Sequence, residues 1–230
     1  MVSKLILFVV LLLSLNCALM AQENIDIGAS REEMDIAASY MTELKAIYER
    51  LGIKASLVAL PNSRVGEYIE KTKVSAIAIK TANYGKNHKN VIRIDVPIYK
   101  NVSFRLYALK SELSRVKRLS NPYVVTSLGC IGCSEFVAKY NLNIGTYQRS
   151  LKSCFDVLMK KRTDLALIPD ALLKPEHTKD VVAFGDRVLT TSYYHYIHKR
   201  IAHLKPRIEE EFRRSLAKGF FIPKKLTKEK

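Results

Sequence analysis

Residues 123–140 read YVVTSLGCIGCSEFVAKY, and this stretch predicts a strand, a turn and a helix in succession. The apolar run at 123–126 is typical of a short buried strand, and Gly129 and Gly132 indicate the turn. Ser134 is a favourable N-cap, so the helix is predicted to begin there with one apolar face. Because the first N–H groups of a helix have no partner within it, such a corner attracts anions or ligand oxygens.

The same turn holds Cys130 and Cys133, so a binding site and a redox site are both candidate interpretations. A Cys-x-x-Cys pair between a strand and a helix is typical of thioredoxin-like motifs, and a helix N-terminus lowers the pKa of a thiol. A thioredoxin-like domain would need this motif in its first strand–helix unit, whereas here a full β-α-β-α-β set precedes it. The other interpretations are a disulfide that stiffens the loop, or a link from one of the two cysteines to Cys154.

Residues 1–21 have the pattern of a secretory signal peptide. A short basic segment precedes the apolar run at 5–15, which is shorter than a membrane span, and Ala21 stands at a plausible cleavage point. The rival interpretation is a lipoprotein signal with Cys17 as the acylated residue, although Asn16 stands where a small residue is expected. We therefore expect a periplasmic protein of roughly 210 mature residues, enough for one large domain or two small ones.

The net charge of +16 is high, and the apolar fraction of 48% is ordinary for a globular protein. Positive charge attracts nucleic acid, anionic lipid or acidic ligands. The basic residues do not interleave with aromatic ones as they do in RNA-binding modules, so nucleic acid is not an expected partner. The charge is interpreted as a source of solubility and of attraction to an acidic partner.

Hydrophobic periodicity predicts alternating strands and helices in both halves of the chain. In the first half, the predicted strands are 24–30, 53–60, 74–79, 91–95 and 103–110, and the predicted helices are 32–51 and 64–71. In the second half, the predicted strands are 123–126, 143–147, 165–168, 181–184 and 192–198, and the predicted helices are 134–140, 150–161 and 204–217. A helix, a basic turn and a buried strand occur once in each half, which indicates two lobes of one architecture.

This order resembles the extracellular solute-binding proteins of bacterial uptake systems, family 3, which have the type II periplasmic binding fold. Four local patterns carry the resemblance, which covers nearly the whole mature chain. An exported chain opens with a strand and a long helix that ends at Leu51 and Gly52, and Leu60-Pro61 with Arg64 is similar to the unit in the family's first lobe. Residues 125–134 lie where the family's second lobe opens, and 163–168 (TDLALI) are similar to its strand signature. The closing strand and helix at 194–219 are also close to the family's.

The resemblance implies an α/β fold with two lobes, each a mixed sheet flanked by helices. The first lobe would comprise residues 22–106 and the second lobe 107–192. Residues 193–230 would return to the first lobe as a strand and a C-terminal helix. Two crossing strands near 104–109 and 190–196 would form the hinge about which the lobes close.

The resemblance also implies a ligand in the cleft between the lobes, outside the carboxyl ends of the parallel strands. The candidate ligand-binding residues at those ends are Ser30, Arg64, Lys80, Thr81, Gly129, Cys130, Cys133, Ser134 and Asp170. Arginine offers a planar fork for a carboxylate, whereas lysine offers a point charge. The backbone N–H groups of Cys133 and Ser134 would face an anionic group at the helix start.

The chain departs from the family pattern at the places that hold the ligand. The loop after residue 79 lacks the arginine that clamps a ligand carboxylate, and Lys80, Lys86 or His88 are the candidates to replace it. Pro169 stands at about the place of the aspartate that holds the ligand ammonium, and Asp170 comes one residue late. These departures bear on the ligand rather than on the fold.

We therefore predict a solute-binding protein that captures a small polar ligand, amino-acid-like or an organic anion, for an ABC-type uptake system. It would be a monomer without enzymatic activity or cofactor, and its partner would be a membrane permease or a sensor. No metal site is expected, because His195 and His198 point to opposite faces of a strand. The alternatives are a periplasmic thiol-disulfide oxidoreductase that uses Cys130 and Cys133, and a degenerate binding fold that acts as a sensor or interaction module.

Overall fold

The computed structural model describes residues 24–170, 173 and 179–220. Within these residues the strands are β1 Asn24–Ser30, β2 Lys54–Leu60, β3 Ala76–Thr81, β4 Val91–Arg93, β5 Tyr99–Leu109, β6 Val124–Ser127, β7 Ile144–Gln148, β8 Leu165–Pro169, β9 Val181–Ala183 and β10 Leu189–His198. The α-helices are α1 Arg31–Ile36, α2 Ala38–Arg50, α3 Val65–Glu70, α4 Leu113–Val116, α5 Ile131–Tyr140, α6 Leu151–Met159 and α7 Lys205–Ala217. The predicted signal peptide at 1–21, with Cys17 and Ala21, lies outside the described residues.

The strands pair in the order β2-β1-β3-β10-β5-β8-β6-β7, with β4 beside β10 and β9 beside β5. β1 runs parallel to β2 and β3, and β6 runs parallel to β7 and β8. These two parallel sets are connected by the antiparallel pair of β5 and β10, which meet along 99–104 and 189–193. The chain therefore forms two α/β lobes joined by two crossing strands.

Each lobe has its own apolar core on both faces of its strands. In the first lobe, one cluster lies under α2 and α7 and includes Leu44 and Phe212, and the other lies under α3 and includes Ile69. In the second lobe, α5 covers one face with Phe136 and α6 covers the other with Phe155. The fully buried members of each cluster come from a single lobe, and Ile131 at the start of α5 adds a partly buried contact with the first-lobe cluster under α3.

The C-terminal helix α7 is fixed to α2 by a network of charged side chains. Arg50 donates from Nε to Oε2 of Glu211 at 2.6 Å and from its terminal nitrogen to Oε1 of Glu43 at 2.9 Å. Ser215 also donates to Glu43. Since both carboxylates are largely buried, this network holds the end of the described chain against the first lobe.

Two helix predictions were wrong in their bounds. The predicted helix 32–51 is divided at Ala37, whose φ of −112° and ψ of 36° interrupt the helical path between α1 and α2. The helix predicted to begin at Ser134 begins at Ile131, because Cys130 serves as N-cap and its Sγ accepts from the N–H of Cys133. The predicted end of the first long helix is confirmed, since Gly52 follows it with a φ of +78°.

The two predicted crossing strands are confirmed, but the crossing part of β5 lies earlier in the chain than predicted. The predicted segment 104–109 already pairs with β8 and β9 of the second lobe. The segment that pairs with β10 ends at Phe104. The hinge therefore falls on the first half of β5 and the first half of β10.

His195 lies in the first-lobe core rather than at a site open to a ligand. It is fully buried, its Nε2 lies 2.8 Å from the hydroxyl of Tyr48, and its Nδ1 lies 3.1 Å from the carbonyl oxygen of Ala78. This pairing fits a neutral ring with the proton on Nδ1, where it donates to Ala78. Burial lowers the pKa of His195 from 6.5 to about 4.

The depressed pKa of His195 predicts a loss of stability in mild acid. The unfolded chain takes up a proton at this residue as the pH falls below 6.5, whereas the folded chain resists protonation down to about pH 4. The free energy of unfolding should therefore fall by about 3 kcal/mol across this range on account of His195. Urea unfolding at several pH values should show a flatter pH dependence for His195→Gln. Equal slopes in the wild type and in His195→Gln would contradict the assignment.

Candidate functional site

The carboxyl ends of the parallel strands of the two lobes lie against each other. In the first lobe these ends are Ser30 of β1, Leu60 of β2 and Thr81 of β3. In the second lobe, β6 and β7 lead into α5 and α6, whose first residues approach the first lobe. The edge between the lobes is therefore the candidate site, as the strand topology predicts.

Four polar residues of the first lobe form a connected chain at this edge. Ser30 caps α1 in a reciprocal pair with Glu33, because Oγ of Ser30 accepts from the N–H of Glu33 and Oε2 of Glu33 accepts from the N–H of Ser30. The other oxygen of Glu33 accepts from Nζ of Lys80 at 2.6 Å, and Nζ also donates to Oδ1 of Asn62 at 2.7 Å. Lys80 is 5% exposed, so its charge is held within this cluster.

Two buried polar atoms beside this cluster have no hydrogen-bond partner among the described residues. They are Oγ1 of Thr81 in the first lobe and Oε1 of Glu135 on α5 of the second lobe. Thr81 pairs along β3 with Tyr193 of the crossing strand β10. Burial raises the pKa of Tyr193, and the negative charges of Glu33 and Glu135 raise it further. Carboxylates from both lobes therefore act on one phenol at this edge.

The loop from β6 to α5 touches the first lobe through its backbone. Gly129 has a φ of +74°, and a Cβ atom at this position would lie 2.8 Å from the backbone nitrogen of Ser63. The amide of Asn62 donates to the carbonyl oxygen of Leu128 at 3.5 Å. Two constraints therefore require glycine at position 129: the left-handed backbone conformation and the close approach of the other lobe.

A disulfide joins Cys130 and Cys133 at the start of α5, directly after this loop. Both cysteines are buried, and Cys154 is a separate buried free thiol. The N–H of Cys133 donates to Sγ of Cys130, and the N–H of Ser134 donates to the carbonyl oxygen of Cys130 at 3.0 Å. The two N–H groups that were predicted to face an anion are therefore engaged inside the helix, and Ser134 is exposed.

Glu32 of the first lobe binds the N-terminus of α6 in the second lobe. Its Oε2 accepts from the N–H of Leu151 at 3.2 Å, and its Oε1 accepts from the N–H of Lys152 at 3.1 Å. A carboxylate at a helix N-terminus is favoured both by the free N–H groups and by the helix dipole. Burial, followed by the charge of Glu32, raises the pKa of the Cys154 thiol to about 12. Cys154 is therefore a neutral thiol at neutral pH.

Four other candidates from the sequence, Asp170, Arg64, Lys86 and His88, lie outside this cluster. Asp170 pairs with Arg105 of β5 at 3.2 Å and accepts from the hydroxyl of Tyr107 at 2.6 Å. Arg64 is exposed at the end of a short 3-10 turn, 62–64.

Lys86 and His88, the proposed substitutes for a clamping arginine, follow β3 in the first lobe, where Lys86 is exposed and His88 is half-buried. Lys86 lines a shallow hollow whose only acidic side chain among the described lining residues, Asp95, is already paired with Arg93 and Lys205. His88 stacks on Tyr84, with ring centres 4.2 Å apart.

Sequence reasoning missed Glu32, Glu33, Asn62, Glu135 and Tyr193. Glu33 had a readable signal, because a serine followed three residues later by glutamate is the pattern of a capping box. The other four are set by contacts between distant segments, for which the local sequence carries no signal. Among the described residues, no cluster of three or more His, Cys, Asp or Glu side chains is arranged to hold a metal ion. None of the described helices combines the length and apolar character needed to cross a membrane.

No protein-family model matches the sequence, and a search among curated proteins finds no match either. Among solved structures, a mutant of ArgBP from T. maritima is similar, with a TM-score of 0.70 at 19% identity, over 86% of this chain and 91% of that one. A substrate binding protein of an ABC uptake transporter from Streptococcus pneumoniae with bound histidine has a TM-score of 0.70 at 17% identity, over 85% and 88% of the two chains. A histidine kinase sensor domain with similarity to periplasmic binding proteins has a TM-score of 0.69 at 14% identity, over 87% and 93%.

The chain has the type II periplasmic binding fold. The fold that the sequence resemblance implied is thereby confirmed, including the two lobes and the two crossing strands. At these identities the likeness establishes the fold, and the ligand has to be argued from the residues at the edge between the lobes.

The close contact at Gly129 predicts that one methyl group added at this position would keep the lobes from closing fully. Gly129→Ala should open the molecule, because the added Cβ would collide with the backbone of Ser63 in the other lobe. Gly185→Ala is a matched control, since Gly185 has a φ of +70° with open space around its Cβ position. Small-angle scattering should give a larger radius of gyration for Gly129→Ala than for the wild type and Gly185→Ala. Equal radii for all three would show that this contact does not limit closure.

Proposed function

We propose that this protein is a periplasmic solute-binding protein that captures a small amino-acid-like ligand between its two lobes. The observation that carries the proposal is that charged groups of both lobes lie near one edge: Glu33 and Lys80 of the first lobe are paired at 2.6 Å, and Glu135 of the second lobe acts together with Glu33 on Tyr193. A ligand held there would contact both lobes at once. Contacts made only in the closed state are what drives closure on binding.

The charges at this edge favour a ligand that carries an ammonium group. Lys80 is already paired with Glu33, so the carboxylate of Glu135 is left in excess, with a buried oxygen that has no partner among the described residues. A buried carboxylate oxygen is costly unless a donor reaches it. Thr81 offers a hydroxyl on the first-lobe side that has no partner among the described residues and can donate to a ligand carboxylate. We therefore favour a zwitterion over a simple organic anion.

The similar solved structures support this choice of ligand class. One is described with bound histidine, and another is described as an amino acid ABC transporter substrate-binding protein bound to L-arginine. With the predicted signal peptide, they support delivery to an ABC-type permease by an exported protein. We further propose that the protein is a monomer that catalyses no reaction. The second candidate, a sensor module, is favoured by the similarity to a histidine kinase sensor domain. Thiol-disulfide exchange is not proposed, because Cys130 and Cys133 are 8% and 1% exposed.

The ligand proposal is tested by thermal shift with paired compounds. A panel of amino acids and the corresponding carboxylic acids without the amino group should raise the melting temperature only for members with an ammonium. Glu135→Gln should weaken binding of the best ligand by roughly 30-fold, because the ammonium of the bound ligand would lose its carboxylate partner. Glu49→Gln, which removes the same charge from an exposed site on the first lobe, should bind as the wild type does. A lack of any shift across the panel would favour the sensor or interaction module.

Closure itself is tested at Glu32. Glu32→Gln should lower the protection of the Leu151 and Lys152 amides from hydrogen exchange and weaken ligand binding about fivefold, because a charge is lost at a helix N-terminus. Asp35→Asn on the same helix removes an equal charge at an exposed position and is the control. Unchanged protection of these two amides in Glu32→Gln would show that the contact does not hold the lobes together.

A further inference from the structure

The end of the second lobe opposite the candidate site carries a dense basic surface. The strands β6 and β8 begin at this end, and their other ends lead to the loop that touches the first lobe. Here α4 and α6 both terminate, and Asp164 binds the N–H of Tyr123 at 2.7 Å. We call this region, formed by 112–123 and 159–164, the basic pole.

Ion pairs tie the two segments of the basic pole together. Arg115 donates to Glu112 at 2.9 Å and to Asp164 at 2.7 Å, and Lys161 donates to Glu112 at 2.7 Å. The segments therefore form one surface although about forty residues separate them in the sequence. These pairs use both acidic side chains of the basic pole.

Four further cations of the basic pole have no ion pair or side-chain hydrogen bond within the described chain. They are Lys117, Arg118, Lys160 and Arg162, all of them exposed. With Arg115 and Lys161, the basic pole has six cations against two carboxylates, an excess of four positive charges. Cations at helix ends are favoured by the helix dipole, which accounts for basic residues after α4 and α6.

The helix dipole does not account for the large apolar side chains exposed at the same place. Leu119 is 37% exposed, Tyr123 47% and Met159 39%. They are three of the six large apolar side chains that are exposed in the described residues. Aliphatic and tyrosine side chains among lysines and arginines are typical of surfaces that lie at a membrane interface.

We propose that the basic pole binds the surface of an anionic phospholipid membrane. Its unpaired cations are on flexible side chains, which suits a fluid layer of phosphates rather than the fixed geometry of an acidic protein surface. Its apolar side chains have the size to enter the region between headgroups and acyl chains. Because the candidate site lies at the opposite end of the lobe, a membrane-bound molecule keeps that site open to solvent.

Sedimentation with phospholipid vesicles tests this proposal. The full chain should bind vesicles that contain about one third phosphatidylglycerol more strongly than pure phosphatidylcholine vesicles, and high salt should abolish the difference. The predicted signal segment is common to all variants, so only differences between vesicle types and between variants are interpreted. Binding that is equal on both vesicle types would overturn the proposal.

Two charge variants separate the basic pole from the net charge of the chain. The pole variant changes Lys117, Arg118, Lys160 and Arg162 to glutamine, and the control variant changes the exposed first-lobe residues Lys54, Lys73, Lys86 and Lys89 to glutamine. The pole variant should bind anionic vesicles at least about tenfold more weakly, and the control should stay within about twofold of the wild type. Equal losses of vesicle binding in both variants would assign the binding to net charge and refute the proposed role of the basic pole.

The apolar side chains are tested separately by Leu119→Asn combined with Met159→Gln. This variant should lose several-fold in binding to anionic vesicles while its salt dependence stays that of the wild type, since the number of charges is unchanged. Circular dichroism confirms that each variant is folded. Wild-type binding by this variant would overturn the part of the proposal that involves insertion.

Discussion

The buried ammonium of Lys80 is the constraint on which the first-lobe site depends. A charge that is 5% exposed has to be paired, and Glu33 and Asn62 are its partners. Glu33 also binds the N–H of Ser30, so one carboxylate joins the ends of β1 and β3 to the first turn of α1. Removing one partner of such a pair costs about 3–5 kcal/mol, so the three segments are held as a unit.

Much of the fold could be predicted because periodicity is a local property. The apolar runs of β3 and β8, which are buried along their length, identify strands covered on both faces. The break at Ala37 and the start of α5 at Ile131 could not be predicted, because they depend on tertiary packing and on a cysteine that caps a helix. Cysteine is a rare N-cap and serine a common one, so N-cap preference alone predicts a helix that begins at Ser134.

Of the candidate site, only the residues at the ends of strands could be predicted from the sequence. Ser30, Lys80 and Thr81 follow from the topology, since parallel strands end at one edge. The partners of Lys80 are 47 and 18 residues away, and no local pattern selects them. Asp170 also stands at a strand end, yet its carboxylate is directed to Arg105 and Tyr107 of the neighbouring strand. Position along a strand therefore identifies candidates, and only side-chain contacts decide between them.

The contacts between the lobes combine polar groups with one apolar contact, because Ile131 of α5 packs on the first-lobe cluster under α3. Glu32 binds two N–H groups of α6, Asn62 binds Leu128, and the backbone of Gly129 lies against Ser63. Each such hydrogen bond contributes about 0.5–1.5 kcal/mol net, so breaking these polar contacts costs a few kcal/mol. Moving a two-state equilibrium from nearly open to nearly closed requires about 5.5 kcal/mol of differential binding. A micromolar ligand binds with about 8 kcal/mol, so a ligand that contacts both lobes has enough binding energy to close them.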